Sequence, residues 1–134
     1  MKISASISSK FNRHKIEVST NDISRPISIL PKANGYGSEV NGGELLLLSL
    51  ATCFCNDLYR EAQKRNLTIN GIEIVCTCEF GAEGEAGSNF NYNVHVTSAA
   101  SAEEINELIH HTDRVAEIHN TLRKGINITL QNEC

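Results

Sequence analysis

The sequence has no Trp, two Pro and a single Met among 134 residues. Both prolines, Pro26 and Pro31, come early, so no proline interrupts a helix anywhere after them. Long apolar runs are also missing. The longest, Leu45 to Leu48, is far too short to span a bilayer, so no membrane partner is expected. Basic charge is not in surplus. Sixteen acidic residues face 12 basic ones, for a net charge of −4, which gives nucleic acid nothing to bind and leaves no single-sign tail. The Met-Lys start leads into an alternating segment and not into an apolar core of a signal peptide, so we expect no secretory signal and a cytoplasmic location. Five cysteines, an odd number, then read as reduced thiols and not as a disulfide framework. No Cys-x-x-Cys or His pair completes a zinc site, and no cofactor is expected. The length fits one domain over residues 1–134, with no internal repeat.

What the sequence does have is one dominant stretch, Asn41 to Asn66. After Gly43 it is rich in Leu, Ala, Glu, Gln, Lys and Arg, all good helix formers. From Leu45 to Phe54 the only polar side chains are Ser49, Thr52 and the Cys53 thiol, so this half has no wet face and is expected to be buried all round. From Asn56 onward charge appears, with Leu58 and Ala62 on one inward stripe, so the helix is expected to emerge into solvent near its C-terminus. Asn41 is placed to cap it, and Glu44 lies in its first turn.

Around this helix the pattern is strand-like before and mixed after. Residues 2–8 and 15–20 alternate, placing Ile3, Ala5 and Ile7, then Ile16 and Val18, inward. Asn21-Asp22 is a turn, and Ile27 to Leu30 between the two prolines reads as a short third strand. Later, Ile72, Ile74, Cys76, Cys78 and Phe80 share one strand face, and Phe90, Tyr92, Val94 and Val96 share the facing side of the return strand. Ser101-Ala-Glu-Glu104 forms a capping box. Ile105, Leu108 and Ile109 follow as a helical stripe that shifts phase near His111 to Arg114, and Gly125 stops the helical region. Ile126, Ile128 and Leu130 alternate as a last strand. The order βββ–α–ββ–αα–β segregates strands from helices, which makes an α+β domain. So few short strands cannot wrap a helix apolar all round, and a homodimer in which two such helices pack together would cover it.

Cys53 is the first place to look for chemistry. A thiol on a buried helix is ordinarily a small hydrophobe. The alternative is a nucleophilic thiolate. Cys53 lies about three turns in, beyond reach of its own helix dipole. A lowered pKa would therefore need a cation such as Arg13, Arg25 or Arg114. Cys55 is about 200° away round the helix, so the two thiols point apart and do not pair. Cys76 and Cys78 read as core, Cys134 as exposed, and His110, His111 and His119 as solvated. Glu44 is either an acid/base group or a favourable first-turn charge.

The segment Asn41-Gly-Gly-Glu-Leu-Leu-Leu-Leu-Ser-Leu-Ala-Thr-Cys53-Phe resembles the Asn-Pro-Glu-(Glu/Gln)-Leu…Ala-Ala-Cys-Phe signature of the OsmC/Ohr family of osmotically induced and organic-hydroperoxide-resistance proteins. Ala116 to Arg123 and Gly125 to Leu130 resemble the family's Cys-Pro-x-Ser-x-Ala-Leu helix and last strand. The resemblance implies an intertwined homodimer with buried central helices. It also implies a thiol peroxidase whose cysteine, activated by an Arg and a Glu, is oxidised by an organic hydroperoxide and resolved by a second Cys. By position, Cys53 matches the peroxidatic Cys, Arg13 the activating Arg, and Glu44 the residue after the catalytic Glu, whose own place is taken by Gly43. Ala116 stands where the resolving Cys belongs, so the resemblance implies a one-Cys type restored by an external thiol. The other reading is a non-catalytic module binding a small hydrophobic or electrophilic ligand at the dimer interface.

Overall fold

A computed structural model of the chain describes residues 1–132, so the expected exposure of Cys134 falls outside the described residues. The chain forms two compact units, Met1–Leu45 and Leu46–Cys134.

In the first unit, β1 (Ile3–Lys10), β2 (Arg13–Thr20) and β3 (Ile23–Ile27) form an antiparallel meander in that order. Two-residue turns set the register, which pairs Lys10 with Arg13 and Thr20 with Ile23. At the second turn Asn21 and Asp22 both take positive φ, the conformation a type I′ hairpin requires and one these two residues tolerate. This turn places the third strand earlier than the expected Ile27 to Leu30. Strand pairing resumes directly after a tight turn, and Pro26 is accommodated because β3 is an edge strand. Ile3 and Ile7, expected inward, are exposed, and Ile16 is the buried member of this sheet.

The helix α1 (Gly42–Lys64) starts at a reciprocal cap. Glu44 N–H donates to Asn41 Oδ1 at 2.9 Å, and Asn41 N–H donates to Glu44 Oε2 at 2.8 Å. In the second unit β4 (Gly71–Glu79) and β5 (Ser88–Thr97) form a hairpin with a register shift between Thr77 and Glu79. Its inner face carries Ile72, Ile74, Tyr92, Val94 and Val96, as the alternation predicts, whereas Phe80, past the end of β4, and Phe90, near the start of β5, are exposed. The Ser101/Glu104 capping box opens α2 (Ala102–Val115), the chain breaks at Ala116, and α3 (Glu117–Lys124) ends at Gly125, whose φ of 71° suits glycine. The core is Phe54, Leu58, Ala62, Leu108 and Ala116, packed on the hairpin's inner face. Residues 125–132, expected to supply a last strand, belong to no strand, and Ile128 and Leu130 are exposed. Among the described residues no helix is long and apolar enough to cross a membrane.

Burial along α1 runs opposite to expectation. The buried residues are Leu50, Phe54, Asp57, Leu58, Glu61 and Ala62, four of the six in the charged half. The apolar first half stays open, with Leu48 60% exposed. A single chain covers one face of α1 only. Leu48, Thr52, Cys55 and Tyr59, spaced i, i+4, i+7 and i+11, form a stripe on the other side with no residue of the stripe buried.

Candidate functional site

Leu46, Leu50, Cys53 and Asp57 follow one another along one face of α1 at helical spacing. The i, i+4 relation brings Cys53 to Asp57: the thiol donates to Asp57 Oδ2 at 3.4 Å. Asp57 is itself only 5% exposed. A buried carboxylate needs compensation, and Arg60 supplies it from the next turn, with NH1 2.8 Å from Asp57 Oδ1. The same guanidinium reaches Glu61 at 2.9 Å and Glu117, the first residue of α3, at 3.5 Å. Glu61 holds Arg60 in this position. It is buried, and also receives Lys64 at 2.9 Å and His111 at 3.0 Å. Lys64 and Arg60 together pull its carboxyl down to about 2.

The thiol feels opposing influences. Burial pushes Cys53 above its ordinary value, the backbone N–H of Ile118 pulls it down, and the carboxylates of Asp57 and Glu117 push it up again. Ile118 lies in the first turn of α3. Because Ala116 provides no side-chain cap, the free N–H groups of that turn are left to face an anion. Burial, followed by hydrogen bonding with Glu117, also raises Asp57. Glu117 is lowered by its own backbone N–H at the helix start, so Asp57 is the more basic of the pair. One ligand atom each from Cys53, Asp57 and Glu117 lies within 4.8 Å of the others, a spacing that can hold a cation, and Arg60 already brings positive charge to it.

Beside this cluster Phe54, Tyr92 and His119 pack ring against ring, with centroids 4.9–5.6 Å apart. Tyr92 and His119 also line an apolar cleft of about 350 Å³ whose walls include Leu46, Leu50 and Leu122. His119 was expected in solvent. It is instead the buried residue of α3, and among the described residues neither ring nitrogen has a hydrogen-bond partner. Burial, reinforced by Arg123, lowers its pKa and keeps it neutral. An unsatisfied buried donor destabilises by about 1–3 kcal/mol. We therefore expect His119→Phe, which keeps a ring and removes the polar atoms, to stabilise the fold by about 1–2 kcal/mol in urea unfolding. The sign with pH follows. The unfolded imidazole gains a proton below 6.5 while the folded one resists, so wild-type stability falls as pH drops below 6.5, and the variant loses that limb. A variant less stable than wild type on both sides of 6.5 would contradict this.

Of the residues expected from sequence, Cys53 is at the centre of the cluster. Glu44 is engaged in the α1 cap, and Arg13 opens β2 in the first unit. Arg114 is exposed at the end of α2. Asp57, Arg60 and Glu117 were missed. The first two had a readable signal, since Asp57 is i+4 from Cys53 and Arg60 i+3 from Asp57. Glu117 had none, because the break at Ala116 that turns it toward α1 is a tertiary feature. Cys55, Cys76 and Cys78 are half-buried free thiols, with Cys76 raised by burial.

The model of the OsmC-like protein family matches residues 35–131. No curated protein sequence matches the chain. Among solved structures, the OsmC-like protein from Mycoplasma pneumoniae is 23% identical, with a TM-score of 0.61 over 91% of this chain and 86% of that one. An OsmC-like hydroperoxide resistance protein from Jannaschia is 13% identical, with a TM-score of 0.61 over 98% and 91%. The organic hydroperoxide resistance protein OhrB of Bacillus subtilis is 16% identical, with a TM-score of 0.55 over 90% and 89%. At these identities the likeness is one of fold. The family match covers most of the chain, including α1, the hairpin, α2 and α3, and on that ground the chain belongs to the OsmC-like protein family.

Proposed function

We propose that this protein reduces organic hydroperoxides through Cys53, as a one-Cys thiol peroxidase in a stress response. The observation that carries the reading is the seat of the thiol against the uncapped first turn of α3. There the Ile118 N–H can meet the charge of a thiolate. Two further features support it. The apolar cleft begins on the same α1 face one turn before Cys53 and offers room for an organic group. The names of the Jannaschia and Bacillus subtilis relatives refer to hydroperoxide resistance.

In this cycle the Cys53 sulfur attacks the terminal peroxide oxygen. The O–O bond breaks, Cys53 becomes a sulfenic acid, and the hydroperoxide leaves as an alcohol. Ala116, fully buried, has no thiol with which to resolve the sulfenic acid. A first external thiol displaces water to give a mixed disulfide, and a second releases Cys53 and the external disulfide. The protein acts as a cytoplasmic homodimer, joined through the open stripe of α1.

The test is intact-chain mass spectrometry after tert-butyl hydroperoxide is added over a range of pH. We expect one oxygen added, at Cys53. Because the thiol is pushed up, no inflection is expected below the ~8.5 of an unhindered thiol. Oxidation of Cys53 no faster than that of Cys55, Cys76 or Cys78 at every pH would remove the reading.

A further inference from the structure

The local groups around Cys53 disfavour a standing thiolate, so a hydroperoxide reductase built on this thiol has to move its proton during the attack. The leaving alkoxide has the opposite need, since it requires a proton as the O–O bond breaks. We propose that Asp57 meets both needs: it takes the proton of the Cys53 thiol and returns it to the departing alkoxide oxygen, with Glu117 and Arg60 as positioning residues. This rests on the reading of Cys53 as the peroxide-reducing thiol.

The geometry is that of a base already engaged with its proton. The thiol points at Asp57 Oδ2 at 3.4 Å, within the range for a hydrogen bond from sulfur. Asp57 is one helical turn from Cys53 on the same face, so the contact comes from regular α1 geometry and needs no loop to be ordered. Arg60 NH1 occupies Asp57 Oδ1 at 2.8 Å, which leaves Oδ2 for the thiol. Arg60 also binds Glu117 at 3.5 Å, tying the start of α3 to the base. Glu61, buried and bonded to Arg60, Lys64 and His111, keeps the guanidinium from swinging away. The family signature has a Glu where this chain has Gly43, and Glu44 beside it is taken up by the helix cap. A carboxylate is thus restored to the thiol from the turn after it.

The step balances. The S–H bond breaks as Asp57 takes the proton, and the sulfur electron pair forms the S–O bond to the terminal peroxide oxygen, which keeps its hydrogen. The O–O bond breaks, and Asp57 gives the proton to the alkoxide. Cys53 is oxidised to the sulfenic acid, the hydroperoxide is reduced to the alcohol, and Asp57 ends as it began.

The experiment compares wild type and Asp57→Asn, as full-length protein, with two oxidants and one alkylating agent. tert-Butyl hydroperoxide releases an alkoxide that needs a proton. Peracetic acid releases acetate, which does not. Iodoacetamide reports on the thiol alone. For Asp57→Asn we expect oxidation of Cys53 by tert-butyl hydroperoxide to fall about a hundredfold or more, the scale of a lost general acid. Oxidation by peracetic acid should fall far less, because it loses the base but needs no acid, and alkylation at neutral pH should be faster, because a negative charge beside the sulfur is gone. The peracetic acid and alkylation arms also show that the variant is folded around its thiol. Equal loss with both oxidants, or no loss with either, overturns the role of Asp57. A wild-type Cys53 that reacts with neither oxidant overturns instead the peroxide-reducing reading on which this role rests.

Discussion

Replacing Cys53 by Ser is expected to end hydroperoxide reduction, with a drop of about a thousandfold or more, roughly 4 kcal/mol of lost transition-state stabilisation. The substitution exchanges one atom at a half-buried position and leaves the Asp57 contact available to a hydroxyl, so the fold has little reason to change. The chemistry changes completely. A sulfur can accept the peroxide oxygen and be returned by thiols, whereas a serine oxygen has no such oxidation ladder. Among the described residues no other thiol substitutes. Cys55 lies about 200° round α1, and Cys76 and Cys78 are half-buried on the β4–β5 hairpin. Consumption of tert-butyl hydroperoxide, followed with an excess of a small thiol as reductant, is the measurement. A serine variant as fast as wild type would refute the role of Cys53. So would a wild type that goes on turning over without any external reductant, because a Cys53 sulfenic acid needs two electrons to return to the thiol.

Leu48→Lys is expected to convert a dimer to monomer at micromolar concentration. Leu48 is 60% exposed in the single chain and begins the stripe that continues through Thr52, Cys55 and Tyr59. The walls of an adjoining cleft of about 300 Å³ include Thr52, Cys55, Ile72 and Ile74, so apolar surface extends from the helix to the hairpin. A soluble protein rarely leaves such a patch open. Packing the stripe against its copy buries each Leu side chain, at about 1.5–3 kcal/mol per residue. A lysine there forfeits that gain on both protomers and adds an ammonium to each side of a two-fold contact, where like charges meet. The combined effect is about 4–6 kcal/mol, three to four decades in the dissociation constant. Sedimentation velocity across a concentration series measures it. A wild type that sediments as a monomer throughout, or a Leu48→Lys variant with the dimer's dissociation constant unchanged, would exclude this face.

Much of the architecture was legible because local chemistry agreed with it. The Asn41/Glu44 and Ser101/Glu104 caps, the Asn21-Asp22 turn, the alternation of β4 and β5 and the stop at Gly125 are properties of a few adjacent residues, and each stands where its pattern put it. Leu58 and Ala62 point inward as their spacing requires. The third strand lies earlier than the two prolines suggest, because the two-residue turn before it decides the register. The final strand was read from alternation at Ile126, Ile128 and Leu130. Alternation shows which side chains share a face and not whether a neighbour is there to pair with.

By itself the sequence determined the α+β order, the caps and the family signature around Cys53, since each depends on residue types at short spacing. The polarity of α1 burial was decided only by tertiary structure. A hydropathy count assigns Leu45 to Phe54 to the interior, yet within one chain the hairpin and α2–α3 cover the half that carries Asp57 and Glu61. Burying two carboxylates is possible there because Arg60, Lys64 and His111 converge on them, a convergence between residues 50 or more positions apart in the case of His111 and Glu117. His119 likewise looked solvated as one polar residue on a short helix. It is buried because the break at Ala116 turns α3 so that this residue meets Phe54 and Tyr92. The environment of Cys53 follows from the same break, which brings the Glu117 carboxylate and the Ile118 N–H to a thiol that lies more than 60 residues earlier in the chain.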